Sequence, residues 1–380
     1  MVCLDSESDR EKELGIMQNK QLRFGFTTGT CSAIAAKAAT KMLLGDGILK
    51  QERIMTPKGI EVCTDIYDAK PQGRRFSCAV KKDAGDDPDV TDGILIYASV
   101  ELSDSEEIVI TGGEGVGIVT RPGLSQAVGE YAINPVPKQM IEKEVREVLD
   151  KKGYICGCHV CIYVPEGREI ARKTFNPRIG IIDGISILGT TGIVEPMSEK
   201  ALLESISVEM NVAKANGVKR LILTPGNYGE DFIRDSLKLE LSEAIKCSNF
   251  VGETIDMAVE KGFESILLVG HVGKFVKLAA GIMNTHSHQA DGRMEVFVAH
   301  AALTGVPRDV LQQMIESATT DEVIRILKEG HYLESTMESI MKKVDFHIRQ
   351  RCLDAVPIGA ILFSNEHGLL GMTEEAERLV

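Results

Sequence analysis

The chain has 380 residues, of which 43% are hydrophobic and 26% are charged, and its formal net charge is −13 at pH 7. The length predicts two domains. The acidic balance argues against general nucleic-acid binding, which needs an excess of Lys and Arg. Nine irregularly spaced cysteines do not make a disulfide framework.

The first 20 residues are polar and lack the apolar core of a signal peptide. We therefore expect a mobile tail over residues 1–20, in a cytoplasmic protein. No apolar run approaches the ~20 residues that cross a bilayer, so no membrane partner is expected. The patterns that follow place an α+β domain over residues 21–180 and an α/β domain over residues 181–380.

The first domain combines short apolar runs with two helical patterns, which predicts a mostly antiparallel sheet and two helices. The first helix begins at "TTGT" (27–30), whose hydroxyls suit a helix cap, and it ends at Gly45. The second helix follows the prolines of "AINPVP" (132–137). Strands are predicted in "GIEVCTDIY", "RFSCAVKKD", "GILIYASVEL", "EEIVITGG" and "YICGCHVCIYVPEG".

After about residue 180 the pattern changes to strand, glycine turn and helix, which specifies a parallel sheet covered by helices. Strands are predicted in "GIIDGISILGTTG", "VKRLILTPGNYG", "NFVG" and "ESILLVGHVG", with a last strand or hairpin in "PIGAILFSNEHGLLG". Ligands of such sheets bind beyond the carboxyl ends of the strands, where glycines let the backbone approach them. We predict a cleft floor that binds a cofactor, formed by three turns with Gly189, Thr190, Thr191, Gly192, Gly226, Asn227, Gly270 and Gly273.

Two short motifs allow two interpretations each. "GGEGVG" (112–117) is similar to a phosphate loop, but Pro122 argues against a helix directly after it, so a structural turn and a ligand-touching loop both stay open. "CGCHVC" (156–161) has the residue types of a zinc site. On a strand, however, its ligands alternate between two faces, which favours a plain half-buried strand.

"NTHSHQADGR" (284–293) contains His286 and His288 in a spacing that metal hydrolases use, and His271 lies beside a glycine turn. A metal site, a polar ligand cleft and simple loop or capping roles stay open for these histidines. Basic residues near the turns could bind carboxylates, and arginine can do so through two hydrogen bonds. The candidate substrate-binding residues are Arg178, Lys274, Lys277 and Arg293, with Thr28 and Arg121 from the first domain.

Six ordered blocks of the chain resemble the successive blocks of the CbiD family, the cobalt-precorrin-5B C(1)-methyltransferases of anaerobic cobalamin biosynthesis. They are "FGFTTGTCSAIAAKAA", "TGGEGVGIVTRPGL", "AINPVP", "KTFNPRIGIIDGISILGTTGIVEPMS", "TPGNYGEDF" and "LLVGHVGKFVKLAAGIMNTHSHQADGR". The resemblance covers nearly the whole chain from about Leu22. "YICGCHVCIYVPEG" departs from it, since an ordinary aliphatic strand is expected there.

The resemblance implies transfer of a methyl group from S-adenosylmethionine to ring carbon 1 of a cobalt-containing tetrapyrrole, which gives cobalt-precorrin-6A. It also implies a first domain like a permuted ribosomal-protein-S5-like α+β unit and a second domain with a small parallel α/β sheet. Cobalt then belongs to the substrate, so no enzyme-bound metal is expected. Neighbouring cobalamin-pathway enzymes and a second copy of the chain are candidate partners beside the tetrapyrrole.

For this chemistry the glycine turns suit the adenosyl cofactor, and the basic residues suit the carboxylates of the macrocycle. His271, His286 or His288 would ligate cobalt or handle a proton. Two other functions stay open. The α+β character of the first domain and "TTGTCSAIAAKAA" resemble small-molecule kinases, whose glycine- and Ser/Thr-rich loop holds ATP, although no G-x-x-x-x-G-K-[ST] motif occurs. A non-catalytic corrinoid carrier is the third candidate.

Overall fold

The computed structural model of the chain describes residues 22–239 and 244–380. They divide into two units, of which the first extends to Thr120 and includes Ser125–Ser198, whereas the second comprises Arg121–Leu124 and Glu199–Val380. The tail predicted over residues 1–20 lies outside the described residues. No helix among the described residues is both long enough and apolar enough to cross a membrane.

The first unit is a mixed α/β structure. Its helices are α1 (Thr28–Leu43), α2 (Pro135–Lys151) and α3 (Gly167–Ala171). Its strands are β1 (Gly25–Phe26), β2 (Gln51–Met55), β3 (Glu61–Gln72), β4 (Arg75–Lys81), β5 (Leu95–Leu102), β6 (Ile108–Gly112), β7 (Gly115–Val116), β8 (Ile118–Val119), β9 (Cys158–Tyr163), β10 (Ile181–Ile182), β11 (Gly184–Ile185) and β12 (Ile193–Val194).

Six of these strands form one sheet in the order β2-β3-β4-β5-β9-β6. Every pair is antiparallel except β6 with β9, which confirms the mostly antiparallel sheet. The helices α1 and α2 share one apolar core with the sheet. The alanines of α1 are fully buried, and because their side chains are small this helix can pack close to its neighbours.

Two motifs of the first unit, one with cysteines and one with glycines, contribute to its strands. In β9, Cys158 is fully buried while His159 is exposed, so the side chains alternate and the strand interpretation of "CGCHVC" is confirmed. The "GGEGVG" segment ends β6 and forms β7 with no helix after it. A Cβ at Gly115 would lie 1.7 Å from the Val164 carbonyl oxygen, so close packing requires this glycine.

The segment "GIIDGISILGTTG" does not form a strand of the parallel sheet, and that prediction is wrong. Its short strands pair within the first unit instead, β10 with β8, β11 with β7 and β12 with β1. The backbone has positive φ at Gly180, Asp183, Gly189 and Gly192. These left-handed positions interrupt the extended conformation, so only two-residue strands form. The first unit therefore reaches Ser198, beyond the boundary expected near residue 180.

The same segment closes the N-terminus of α1. The Gly29 amide donates to the Leu188 carbonyl at 3.0 Å, and the Thr27 amide donates to the Gly192 carbonyl at 3.1 Å. Thr28 Oγ1 accepts the Leu188 amide at 2.8 Å. The amides of Thr27, Gly29 and Thr30 at this helix start therefore already donate to groups of the chain itself.

The second unit contains the strands β13 (Arg220–Thr224), β14 (Ala244–Lys246), β15 (Ser265–His271), β16 (Ile358–Ser364) and β17 (Gly368–Met372). Its helices are α4 (Glu199–Ala215), α5 (Asn227–Phe232), α6 (Val251–Glu260), α7 (Val272–Phe275), α8 (Arg293–Leu303), α9 (Arg308–Glu316), α10 (Thr320–Glu329), α11 (Leu333–Arg351) and α12 (Glu374–Leu379). A π-helical turn (Ile233–Leu237) follows α5, and a 3₁₀ helix (Val276–Ala280) follows α7.

The described strands of this unit form one sheet in the order β14-β13-β15-β16-β17. The first four are parallel and β17 is antiparallel to β16, as the strand–turn–helix pattern and the final hairpin predict. Alternate residues of β13 and β15 face different apolar clusters: Leu221 and Leu268 belong to one, Ile222 and Leu267 to the other. Burial on both faces explains why these strands read as continuous apolar runs.

A Gly189→Ala substitution is expected to destabilise the first unit through a clash as well as through backbone strain. Gly189 has φ +130°, and an added Cβ would lie 2.3 Å from Thr27 Oγ1. The matched control is Gly45→Ala, where φ is +95° but no atom lies within 4 Å of the added Cβ. Backbone strain costs of order 1–3 kcal/mol at either position, and overpacking adds about 1–3 kcal/mol at Gly189 alone. Equal midpoints of chemical denaturation for the two variants would contradict the close packing.

Candidate functional site

The candidate site is the edge of the second unit's sheet at which its parallel strands end. Because β13, β14, β15 and β16 run in one direction, their last residues, Thr224, Lys246, His271 and Ser364, lie along the same edge. Ligands of open α/β sheets bind at such carboxyl ends. The structure places the predicted turns at Gly226 and at Gly270 and Gly273 on this edge.

The turn after β13 is open. Gly226 is extended at φ 178°, and no atom of the part of the chain that the structure describes lies within 4 Å of a Cβ added there. Asn227 begins α5 with an exposed side chain, whose Oδ1 accepts a hydrogen bond from Lys246 Nζ at 2.7 Å. Lys246 also forms an ion pair with Glu230 at 2.9 Å. The corner therefore combines accessible backbone with an amide, a cation and a carboxylate.

The turn after β15 is more constrained. A Cβ at Gly270 would lie 2.4 Å from the Phe275 ring, so this glycine accommodates packing in the interior rather than a ligand. The His271 side chain caps α7, because its Nδ1 accepts the Gly273 amide at 3.1 Å. Burial lowers the pKa of His271, an effect that the nearby Asp321 carboxylate opposes. His271 is therefore neutral at pH 7.

The cap also decides which nitrogen of His271 carries the proton. With Nδ1 accepting a hydrogen bond, the proton of the neutral ring lies on Nε2. At this edge His271 is therefore a hydrogen-bond donor. The predicted roles as a general base or as an axial cobalt ligand do not fit this tautomer, since both need a nitrogen lone pair that faces the ligand.

Two lysines predicted to bind substrate differ in their surroundings. Lys277 is 2% exposed, and its ammonium donates to the carbonyls of Thr285 at 3.1 Å and Ala290 at 2.7 Å. Burial lowers the pKa of Lys277, and its donors hold the 284–293 loop in place, so its assignment to substrate is corrected. Lys274 is half-buried and donates to Asn249 Oδ1 at 3.0 Å, which leaves it at the edge.

The 284–293 loop exposes the two remaining histidines. The rings of His286 and His288 lie edge to face with centroids 4.9 Å apart, and the His288 amide donates to His286 Nδ1 at 3.1 Å. Among the residues that the structure describes, neither belongs to a three-ligand metal cluster, nor does His271. Arg293 forms two hydrogen bonds with Asp291, at 2.7 and 2.9 Å, so its guanidinium is already paired with a carboxylate.

The remaining predicted residues belong to the first unit or to the segment Arg121–Leu124 and are not part of the second unit's strands or their turns. Thr28 and the 189–192 segment belong to the first unit, where they hold the start of α1 and its neighbouring loop. Gly192 is enclosed by Thr30 and Thr56. Arg178 is exposed in the first unit, 5.9 Å from the Phe175 ring centroid. Arg121 is exposed and lies in the short segment Arg121–Leu124, which belongs to the second unit.

Sequence reasoning missed several polar residues of the edge. The strand predicted at "NFVG" is wrong, because Val251 already begins α6. The strand at this place in the chain is β14, which ends at Lys246. Asn249 accepts Lys274, and its carbonyl accepts the Thr285 amide at 2.9 Å. The polar turn "NEH" (365–367) follows Ser364, the last residue of β16, at the same edge. Its polar residues after a buried strand are the signal that could have identified it.

Comparison with known proteins gives matches along most of the chain. The CbiD family model matches residues 16–196, and that of the CbiD C-terminal domain matches residues 284–374. A protein of Ruminiclostridium cellulolyticum named cobalt-precorrin-5B C(1)-methyltransferase is 49% identical over 93% of this chain and 92% of its own. One of Alkaliphilus metalliredigens with the same name is 45% identical over 96% of both chains.

Among solved structures, the cobalamin biosynthesis protein CbiD of Archaeoglobus fulgidus is 28% identical, covers 76% of this chain and 91% of its own, and has a TM-score of 0.39. The sequence matches alone decide the family. Relatives with more than 40% identity extend along nearly the full length of both chains. The chain therefore belongs to the CbiD family.

Proposed function

We propose that this chain transfers a methyl group from S-adenosylmethionine to ring carbon 1 of cobalt-precorrin-5B, which gives cobalt-precorrin-6A in cobalamin biosynthesis. The observation that carries the proposal is the 49% and 45% identity to two proteins named for this C(1)-methyltransfer, along more than nine tenths of both chains. Cobalt enters as part of the substrate, and the reaction takes place in the cytoplasm.

The reaction makes modest chemical demands on the protein. The S–CH₃ bond of the sulfonium breaks and its electron pair stays on sulfur, while an electron pair of the conjugated macrocycle forms the new bond from carbon 1 to the methyl carbon. S-adenosylhomocysteine is the second product. The enzyme must hold carbon, methyl and sulfur in line, and alignment of this kind supplies several kcal/mol of the rate enhancement.

The carboxyl edge of the second sheet is the proposed place for the adenosyl cofactor. Three features support it: the open backbone at Gly226, the exposed amide of Asn227, and the carboxylate of Glu230 beside Lys246. Amide and carboxylate groups suit the hydroxyls of a ribose. The Nε2–H of His271 provides a hydrogen-bond donor at the next strand end.

Lys274 is the proposed contact for a carboxylate of the macrocycle. It is half-buried in α7. Among the described residues its hydrogen-bond partner is the neutral Asn249 side chain rather than an acid. An ammonium with a neutral partner can bind an incoming carboxylate without first breaking an ion pair. Arg293 would have to release Asp291 before it could do the same.

We extend the proposal to the fold of the first unit, as a permuted ribosomal-protein-S5-like arrangement. Its six-stranded mixed sheet with α1 and α2 in one shared core supports this assignment. Superposition of an experimental structure on a ribosomal protein S5 domain, with the order of the matched strands compared, would test it.

Calorimetry on the full-length protein tests the function. We expect S-adenosylmethionine and S-adenosylhomocysteine to bind with micromolar affinity and ATP with magnesium not to bind, together with methylated product from cobalt-precorrin-5B. Binding of ATP with magnesium alone would indicate the kinase-like function instead. Binding of the tetrapyrrole without either nucleotide would indicate a corrinoid carrier.

Paired variants at position 271 separate hydrogen bonding to a ligand from helix capping. Asparagine is a good N-cap residue, so His271→Asn keeps an acceptor for the Gly273 amide but removes Nε2–H. We expect kcat/KM to fall roughly tenfold or more, the effect of one lost hydrogen bond in a site, with little change in Tm. His271→Ala should lose activity and also about 1 kcal/mol of stability. Wild-type kcat/KM in His271→Asn would show that His271 only caps α7.

Lys274→Met and Lys277→Met should give opposite results. Loss of the charged hydrogen bond from Lys274 is expected to raise KM for the tetrapyrrole roughly tenfold, with the denaturation midpoint nearly unchanged. Lys277→Met leaves the Thr285 and Ala290 carbonyls without their donor, which should cost about 1–3 kcal/mol of unfolding free energy. Steady-state kinetics and urea denaturation measure the two effects. An unchanged KM in Lys274→Met would exclude its proposed role.

A further inference from the structure

The turn after β16 and the start of α10 form a second cluster of functional groups at the carboxyl edge. Among the residues that the structure describes, one group of three metal-ligand side chains comes together, namely Asp321, Glu366 and His367. Their ligating atoms lie within 4.8 Å of one another. The proposed methyl transfer assigns no role to any of these three residues.

A buried serine organises this cluster. Ser364 is 1% exposed, and its hydroxyl donates to Asp321 Oδ1 at 2.6 Å. Ser364 Oγ in turn accepts the amides of Glu366 at 3.1 Å and His367 at 3.2 Å. One side chain therefore connects the turn to the helix and orients a carboxylate. Hydrogen bonds to ligating carboxylates serve this purpose in metal sites.

His367 is the member of the cluster whose hydrogen bonding is incomplete. Its Nε2 atom is buried and has no hydrogen-bond partner within residues 22–239 and 244–380, and its side chain is 11% exposed. The neighbouring charged atom is Glu366 Oε1 at 3.9 Å, which is too far for a hydrogen bond. A buried polar atom left unpaired costs of order 1–3 kcal/mol. A bound ion is one of the recognised explanations for such an atom.

We propose that Asp321, Glu366 and His367 bind one divalent first-row transition-metal ion. Two carboxylates and one imidazole suit Mn²⁺, Fe²⁺ or Zn²⁺, whereas Mg²⁺ and Ca²⁺ prefer sites built from oxygen alone. The ion satisfies the buried nitrogen and offsets the repulsion between the two carboxylates. It holds the β16–β17 turn against α10, and it is distinct from the cobalt of the substrate. This site departs from the expectation that the enzyme binds no metal of its own.

Mn²⁺ binding to chelator-treated, full-length protein without cofactor or substrate tests this site. Manganese is the probe because it binds weakly to sulfur ligands such as the exposed Cys63 side chain. Excess Mg²⁺ in the buffer saturates weak sites on the acidic surface. Electron paramagnetic resonance should show one tightly bound Mn²⁺ per chain, with a nitrogen hyperfine coupling from a coordinated imidazole.

Three variants and one control locate the ion. Asp321→Asn and His367→Gln should each weaken binding about tenfold or more, and His367→Gln should also remove the nitrogen coupling. Glu366 is exposed, so Glu366→Gln weakens binding without risk to the fold. The exposed His331 provides the control, and His331→Gln should bind as wild type does. The proposal is overturned if no stoichiometric site survives in excess Mg²⁺, or if Asp321→Asn and His367→Gln both bind Mn²⁺ normally.

Discussion

The parallel pairing of β13, β14, β15 and β16 is the constraint on which the candidate site depends. It places the ends of four strands, far apart in sequence, along one edge. The strands β13, β15 and β16 have buried side chains on both faces, so they cannot slip by one residue without moving apolar side chains into the cluster of the opposite face. That rigid register fixes the relative positions of Asn227, Lys246, His271 and Ser364, and with them what a ligand meets at the edge.

In the first unit, glycines and threonines serve the fold. Gly189 and Gly192 approach Thr27 and Thr30 so closely that a side chain would collide with them. The threonine hydroxyls and the amides at the start of α1 bond to the neighbouring segment. A glycine-rich segment beside a threonine-rich helix start resembles a phosphate-binding loop in sequence. Here the carbonyl oxygens of Leu188 and Gly192 accept the amides that an anion would otherwise bind.

Sequence patterns predicted the elements well wherever local periodicity decides the structure. The strands β3, β4, β5, β6 and β9 of the first unit, the strands β13 and β15, and the final hairpin form where expected. The helix predicted after the prolines of "AINPVP" forms but already begins at Pro135, and β2 was not predicted. The error at "GIIDGISILGTTG" arose because apolar β-branched residues predict a strand, whereas positive φ at Asp183 is not visible in the sequence. The sequence could not show that Lys277 is buried while Lys274 is accessible, because the burial of Lys277 depends on how the 284–293 loop folds over it. The tautomer of His271 likewise depends on a hydrogen bond from the Gly273 amide, which no sequence motif predicts.

The long separation of β15 and β16 along the chain has a consequence for how the second sheet assembles. β15 ends at His271 and β16 begins at Ile358, with α7 to α11 between them. During synthesis on the ribosome, β13 and β15 emerge long before the strand that pairs with β15 on its other side. Until then one side of β15 lacks its backbone partner, a state that favours aggregation. Because the two strands are far apart along the chain, β16 pairs with β15 slowly and late in folding. This delay accompanies the placement of the turn after β16 at the same edge as the turns after β13 and β15.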